Sequence, residues 1–385
     1  MRTLGVRGAK ILEGGAETPK GFHLYCDDCV GLLTCDTFAT TAYLGGGNTL
    51  RGHSSVVARN RKGKPTARAV LISNSDDDVL QKGGRDRVTA RVNYASDRLF
   101  VPASEVRSLY VGDLLQQVDD EAVHGSIYDC AKELLAGNRS GIESLAVNTK
   151  TTSVQFFLGD DYPCVVSGTI FFDSVGLLSR RTILLTTDVG ISYEMLSAAL
   201  ETETKDSFGL LTMPPSPNDG YLFLSSGLAE NNKIVHRDVE FSKFSKAVEF
   251  VLLELLRKCM CGDNERDAFS LQVTGAKSKR MASDVVRNAY AYFHHRKNEN
   301  ASLVSGLLSC AGAAGTFRRD KLRIWIQTEK RKILLLDCGR VLYIQENILS
   351  DVLMDEEIII LLDFQEGNYS AFGYINRLEQ KILFS

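Results

Sequence analysis

Residues able to do covalent or metal chemistry fall in a few places in this chain of 385 residues. Cys26-Asp27-Asp28-Cys29 has the two-residue spacing of a zinc hairpin, Cys35 follows, and Cys259-Met260-Cys261 would have to supply the second pair. A structural zinc site needs two well-spaced pairs, whereas the second pair here ends an amphipathic stretch in which cysteine acts as a small apolar residue. The spacing therefore predicts no metal. His23, His53, His124, His236, His294 and His295 form neither His-x-x-x-His nor His-Glu-x-x-His. Gly45-Gly46-Gly47 lacks the Lys-Ser/Thr of a phosphate-binding loop, and no Gly-x-Gly-x-x-Gly is present, so no cofactor is expected.

Nucleophiles must be judged without an obvious base. No Gly-x-Ser-x-Gly elbow exists, and no cysteine has a protease context. The segment from Leu177 through Ser179-Arg180-Arg181-Thr182 to Thr187-Asp188-Val189-Gly190 runs from a polar turn through a strand into a helix. In that context chain cleavage would expose an N-terminal threonine nucleophile. A strand rich in threonine is the plainer reading of the same residues.

The elements that must position these groups are read from apolar periodicity. Strands are expected at 67–73, 98–101, 164–172, 182–187, 269–273, 322–327, 332–336, 341–345 and 357–363. Phe241, Phe244, Val248, Val251, Leu252 and Leu255 share one helical face, and 193–201 and 281–293 are further amphipathic helices. Turn clusters punctuate 45–48, 74–78 and 214–220. The mixture lacks a regular βαβ rhythm, which points to an α+β architecture, and the length to two lobes.

Composition narrows the function classes. With 44% hydrophobic and 24% charged residues the chain is globular and not disordered. A formal charge of -3 gives no field that would gather nucleic acid or an anionic membrane, and the clusters Arg59–Lys62 and Lys277–Arg280 read as solvated loops. The first residues hold no apolar run of signal-peptide length, and the strongest apolar stretch, 250–256, contains Glu254, so no membrane span is expected. Nine cysteines, an odd number, suggest free thiols in the cytoplasm or an organelle matrix.

Five further sets of residues fall in order along the chain: Ile72-Ser73-Asn74-Ser75, Thr187-Asp188-Val189 with Ser207-Phe208, Ser216-Pro217-Asn218-Asp219, Leu224-Ser225-Ser226-Gly227-Leu228-Ala229, and Val273-Thr274-Gly275-Ala276 with Ala282. Together they resemble the ornithine acetyltransferase (glutamate N-acetyltransferase) family of arginine biosynthesis. The matching family motifs are a Val-Asn-Ser-Gly strand end, Thr-Asp-Ala after an Ala-Thr-Met-Leu cleavage site, Ser-Thr-Asn-Asp, an apolar Ala-Asn-Gly run, and Val-x-Gly-Ala before a helix. The likeness spans most of the chain. It implies a two-lobed α+β fold related to the N-terminal-nucleophile-like aminopeptidases, self-cleavage, and acetyl transfer through a threonine. Residues 1–181 would match the family's alpha chain and 182–385 its beta chain, with 240–385 forming much of the second lobe.

Departures from the family pattern gather where its chemistry lies. Counting back from Thr187 without gaps places Arg180 at the nucleophile and Ser179 before the scissile bond, and a guanidinium cannot attack an acyl carbon. Pro102-Ala103-Ser104 stands for the oxyanion-hole Ser-Thr-Gly, a loss that typically costs about a hundred- to thousandfold. Ala146-Val147-Asn148-Thr149-Lys150 replaces Met-Thr-Thr-Asp-Thr, Thr169-Ile170-Phe171-Phe172-Asp173 replaces Lys-Gly-Ser-Gly-Met, and Asp263 alone keeps a carboxylate from Gly-Glu-Gly-Ala-Thr-Lys. Phe384 lies near the place of the family's active-site asparagine. A two-residue deletion preserves strand facing and would instead make Thr182 the nucleophile behind Arg181.

The cleft positions carried over are thus Ala103, Ser104, Asn148, Arg180, Arg181 and Asp263, with Thr182 catalytic only in the shifted register. The leading expectation is a pseudoenzyme that binds a protein partner, joins a larger assembly or forms a homo-oligomer. The alternatives are an active acyltransferase using Thr182, and a small-molecule binding protein that retains the old cleft. Arg180 and Arg181 are expected to pair with Asp173 and Asp263.

Overall fold

The computed structural model describes residues 18–45, 66–73, 84–111, 119–145, 150–158, 164–173, 180–204, 220–261, 268–295, 302–353, 355 and 358–376. In chain order the first elements are strands β1 (Phe22–Cys26), β2 (Val30–Gly45) and β3 (Thr66–Ser73), helix α1 (Gly84–Leu99), a 3-10 turn (Ala103–Glu105), β4 (Val106–Tyr110) and α2 (Asp120–Leu135). A second 3-10 turn (Ile142–Ser144), β5 (Lys150–Leu158), β6 (Cys164–Asp173), β7 (Arg180–Thr187), α3 (Tyr193–Glu203), β8 (Gly220–Ser225) and α4 (Val239–Cys261) follow. The rest comprises β9 (Ala268–Ala276), α5 (Lys279–His295), α6 (Leu303–Ala314), β10 (Arg323–Gln327), β11 (Lys332–Asp337), β12 (Arg340–Val341), α7 (Glu346–Leu353), β13 (Ile359–Asp363) and β14 (Tyr369–Asn376). The expected mixture of helices and sheets is what the chain forms.

Two compact units result, Met1–Thr204 with Pro215–Leu255, and Lys205–Pro214 with Leu256–Ser385. The division falls inside α4, so residues 240–255 belong to the first unit, and β7 with Thr182 lies wholly inside that unit.

The first unit is built on one eight-stranded sheet in the order β4-β3-β2-β8-β7-β6-β5, with β1 also paired to β2. The long strand β2 joins its two halves: β1 pairs with Gly31–Cys35, β8 with Thr40–Gly45, and the β3 register breaks between Thr34 and Ala39. Leu33, Val70, Ile72 and Leu109 of one half share a single buried cluster with Phe171, Leu184, Leu222 and Leu224 of the other. The face of the first half turned away from that cluster, with Leu32, Ala69, Leu71 and Val106, packs on Ala95 and Leu99 of α1 and on Val123, Ile127, Ala131 and Leu134 of α2.

Helix α4 closes the corresponding face of the second half. Its six-residue apolar stripe is buried as its spacing predicts. Phe244 stacks on Phe223 with ring centroids 5.9 Å apart, and Phe250 packs on Phe156 at 4.8 Å. Gly168 of β6 makes the close approach: a Cβ there would lie 2.6 Å from Val251 and 2.9 Å from both Leu185 and Leu255.

In the second unit, six strands run in the order β12-β11-β10-β13-β9-β14, with β13 and β9 parallel. Gly275 at the end of β9 has φ +66, and a Cβ there would meet Asp363 at 2.4 Å, so the Val-x-Gly-Ala likeness marks a backbone requirement at this turn.

Two sequence expectations are corrected. Residues 98–101, read as a strand, are the end of α1 and its closing turn: Val101 N–H bonds to Ser96 O at 3.1 Å around Phe100 at φ 56, a Schellman-type stop. Of 341–345, only Val341 lies in a strand; Leu342 N–H still bonds to Leu335 O at 2.9 Å, but Leu342 and Tyr343 are exposed and the ladder goes no further. The turn clusters at 46–48, 74–78 and 214–219 lie outside the described residues. No described helix is long and apolar enough to cross a membrane.

Candidate functional site

Strand β7 is interior to the sheet, pairing antiparallel with β6 and parallel with β8. Its Ile, Leu and Thr residues suit a pleated surface buried on both sides. Thr182 pairs with Phe171 of β6 and with Gly220 of β8. Strand alternation places Thr182 on the face of Leu184, which shares its buried cluster with Phe171. Thr182 is 1% exposed and Arg181, on the opposite face, 4%. In the backbone ladder Arg180 is the register partner of Asp173. Asn148, Ser179, Asp263 and Phe384 lie outside the described residues.

Ala103 and Ser104 occupy the 3-10 turn that enters β4, an edge strand of the other half of the sheet. Ser104 is exposed, and its carbonyl accepts a 2.7 Å bond from Arg107 Nη1. Arg107 is itself buried, also donates to Thr66 O at 2.5 Å, and burial holds its pKa below the usual arginine value. At the other end of β4, Val111 lies in the same buried cluster as Phe171 and Leu184, and Gly112 follows it in sequence.

The Thr187-Asp188 likeness resolves into a structural clamp at the far end of β7. Asp188 is buried; its Oδ1 accepts from Val165 N–H at 2.8 Å, and Lys20 N–H and its own N–H also face the carboxylate. Burial is the largest influence and raises its pKa above 3.8, with those hydrogen bonds opposing the shift. Thr187 Oγ1 donates to Val165 O at 2.7 Å and accepts from Val189 N–H at 3.2 Å. Ser225 and Ser226 donate to Val189 O and Lys20 O at 2.6 and 2.7 Å, and Asn231 brackets Gly190 with two further bonds. These motif residues tie strand ends together.

The cysteine pattern behaves like packing. Cys26 and Cys35 are buried in the cluster shared by the two sheet halves, and desolvation raises the Cys35 and Cys29 thiols. Among the described residues no group of three or more His, Cys, Asp and Glu is gathered for a metal.

Comparison with known proteins gives a family model, described as the ArgJ family, that matches residues 21–381. A glutamate N-acetyltransferase from Methanococcus vannielii is 23% identical over 94% of this chain and 95% of its own length. An arginine biosynthesis bifunctional protein ArgJ from Caldanaerobacter subterraneus is 22% identical over 95% and 96%. Among solved structures, ArgJ from Bacillus halodurans aligns over 51% of this chain and 94% of its own, with 20% identity and a TM-score of 0.41. A Burkholderia beta-aminopeptidase aligns over 64% and 89%, with 12% identity and a TM-score of 0.39.

Proposed function

The chain belongs to the ArgJ family, and from that premise we propose that it is a non-catalytic member that serves as a binding or structural component. The setting of Thr182 carries this reading. An N-terminal threonine nucleophile needs a reachable hydroxyl and room for an acyl group beside it. Here the threonine is fully buried in a strand laddered on both sides, with Phe171 across from it where the resemblance expects a glycine-rich substrate segment. Arg180, which the ungapped register puts at the nucleophile, cannot replace it. Pro102-Ala103-Ser104, where the resemblance puts the oxyanion hole, carries no threonine hydroxyl, so an oxyanion placed there would lose a donor.

One consideration keeps the alternative, an active acyltransferase using Thr182, in view: among the described residues Thr182 pairs with Gly220 at the start of β8. Intact mass of freshly expressed protein separates the two readings. The non-catalytic reading expects one species at 42.5 kDa; two associated fragments meeting between Arg181 and Thr182 would overturn it.

A further inference from the structure

Two short basic stretches, 277–280 and 318–323, stand apart in the chain and meet at one end of the six-stranded sheet of the second unit. The strand registers fix this. Ala276 at the end of β9 pairs with Tyr369 at the start of β14, Asp363 at the end of β13 with Arg323 at the start of β10, and Asp337 at the end of β11 with Arg340. Since β13 runs parallel to β9, all of these lie at the same end. Contacts tie the connecting loops together. Lys277 Nζ lies 3.4 Å from Glu366 Oε1, which also accepts the Arg318 N–H at 3.2 Å, and Lys277 donates to Thr316 O at 3.1 Å. A Cβ on Gly339 would lie 2.9 Å from Arg319 O, so Arg340 is one residue from a contact with Arg319.

The carboxylates at this end do not cancel the cations. Glu366 is 4% exposed and lies beneath the surface. Asp320 holds Arg318 at 2.7 Å with Lys321 also facing it, and Asp337 holds Arg323 at 2.8 Å. Asp284 stands between Arg280 and Arg287, and Asp363 accepts the Gln365 N–H. Arg319 and Arg340 are exposed and have no ion pair among the described residues, and half of the Lys277 side chain faces solvent. Lys277, Lys279 and Arg280 also surround the first turn of α5, which holds no acid, where the helix dipole favours negative charge. Folding stability does not account for cations in that place. Tyr369, 50% exposed, stands beside them across from Ala276. From β14 to β12 the row crosses five strand spacings, about 24 Å.

We propose that this end of the second unit binds single-stranded nucleic acid, with phosphates on Lys277, Arg319 and Arg340 and a base stacked on Tyr369. An extended row of cations with an exposed aromatic face suits a backbone that carries bases, and the guanidinium fork matches a phosphate. The net charge of -3 conceals this local excess, because the two stretches add up only once folded. The surface lies wholly in the second unit. Its failure would therefore leave the reading of the β7 site untouched.

The test is fluorescence anisotropy of the full chain with labelled oligo(U) and oligo(dT) of about sixteen nucleotides, titrated at several salt concentrations. Three neutralised phosphates predict a slope of log K against log salt of about −2. The double variant Arg319→Ala/Arg340→Ala should bind about tenfold more weakly with a slope of about −0.7. Tyr369→Ala should weaken binding about fivefold or more and leave the slope unchanged, since stacking releases no counterions. Arg331→Ala, at the opposite end of the sheet, should change neither. No binding at about 50 mM salt would overturn the proposal. So would indifference to the substitutions at 319, 340 and 369, an equal loss in Arg331→Ala, or tighter binding of polyglutamate or of phosphatidylserine vesicles than of either oligonucleotide.

Discussion

Replacing Asp188 with alanine should destabilise the first unit by about 3–5 kcal/mol. The carboxylate receives backbone N–H groups from Val165, Lys20 and Asp188 itself, and hydrogen bonds to a charged group contribute about 1.5–3 kcal/mol each, less than additively when they share one acceptor. Removing it also leaves donors in a buried place without a partner. A loss of about 4 kcal/mol corresponds to a thermal midpoint lower by roughly 8–16 °C. The pH dependence has a definite sign. Burial raises the folded-state value above 3.8, so the folded chain holds a proton where the unfolded chain has released it. Stability from this group is therefore full below 3.8 and is lost as pH rises through the folded value. Asn at this position cannot titrate. The difference in urea stability between wild type and Asp188→Asn should shift against the wild type on going from about pH 4 to about pH 7. An Asp188→Ala loss under about 1 kcal/mol, or a wild-type advantage that grows with pH, would refute the clamp.

Ser108 on β4 is fully buried with an unpartnered hydroxyl, so Ser108→Ala should be neutral or should stabilise by about 1 kcal/mol, read from urea midpoints. A loss above that would mean the hydroxyl has a partner. Gly168→Val should destabilise by about 1–3 kcal/mol or more, because the new Cβ alone would stand 2.6 Å from Val251; an unchanged midpoint would show that α4 does not press on β6. Burial pushes the thiols of Cys130 and Cys310 up to about 12 and that of Cys164 to about 11. In the native protein these should resist alkylation at mildly alkaline pH while the exposed Cys338 is modified, as peptide mass spectrometry would show. Early labelling of Cys130 would contradict its packing against Val30.

What the sequence made legible depended on how apolar each segment is. The stripe from Phe241 to Leu255 and the strands β6, β7 and β10 have uninterrupted patterns, and they form as read. Helix α1 escaped because its buried face, Val88, Arg91, Ala95 and Leu99, is interrupted by an arginine, and its last residues, Arg98 to Val101, imitate a short strand. Strand β2 turns its register at Thr34–Ala39, which breaks any period of two. At the candidate site, the apolar pattern located β7, but counting residues could not tell strand facing. Only the register shows that Phe171 opposes Thr182 and that Ala103 and Ser104 precede an edge strand. Asp188 and Ser226 matched motifs by sequence alone, and their role as ties between strand ends needed the hydrogen bonds.

The most direct measurement of the central claim is acetyl exchange between N-acetylornithine and glutamate, run on the wild type beside Thr182→Ala and Ser179→Ala. With Thr182 buried against Phe171 and arginine at the neighbouring nucleophile register, the wild type should show no turnover above Thr182→Ala. Turnover that vanishes in Thr182→Ala and persists in Ser179→Ala would contradict the account and make this chain a working acetyltransferase.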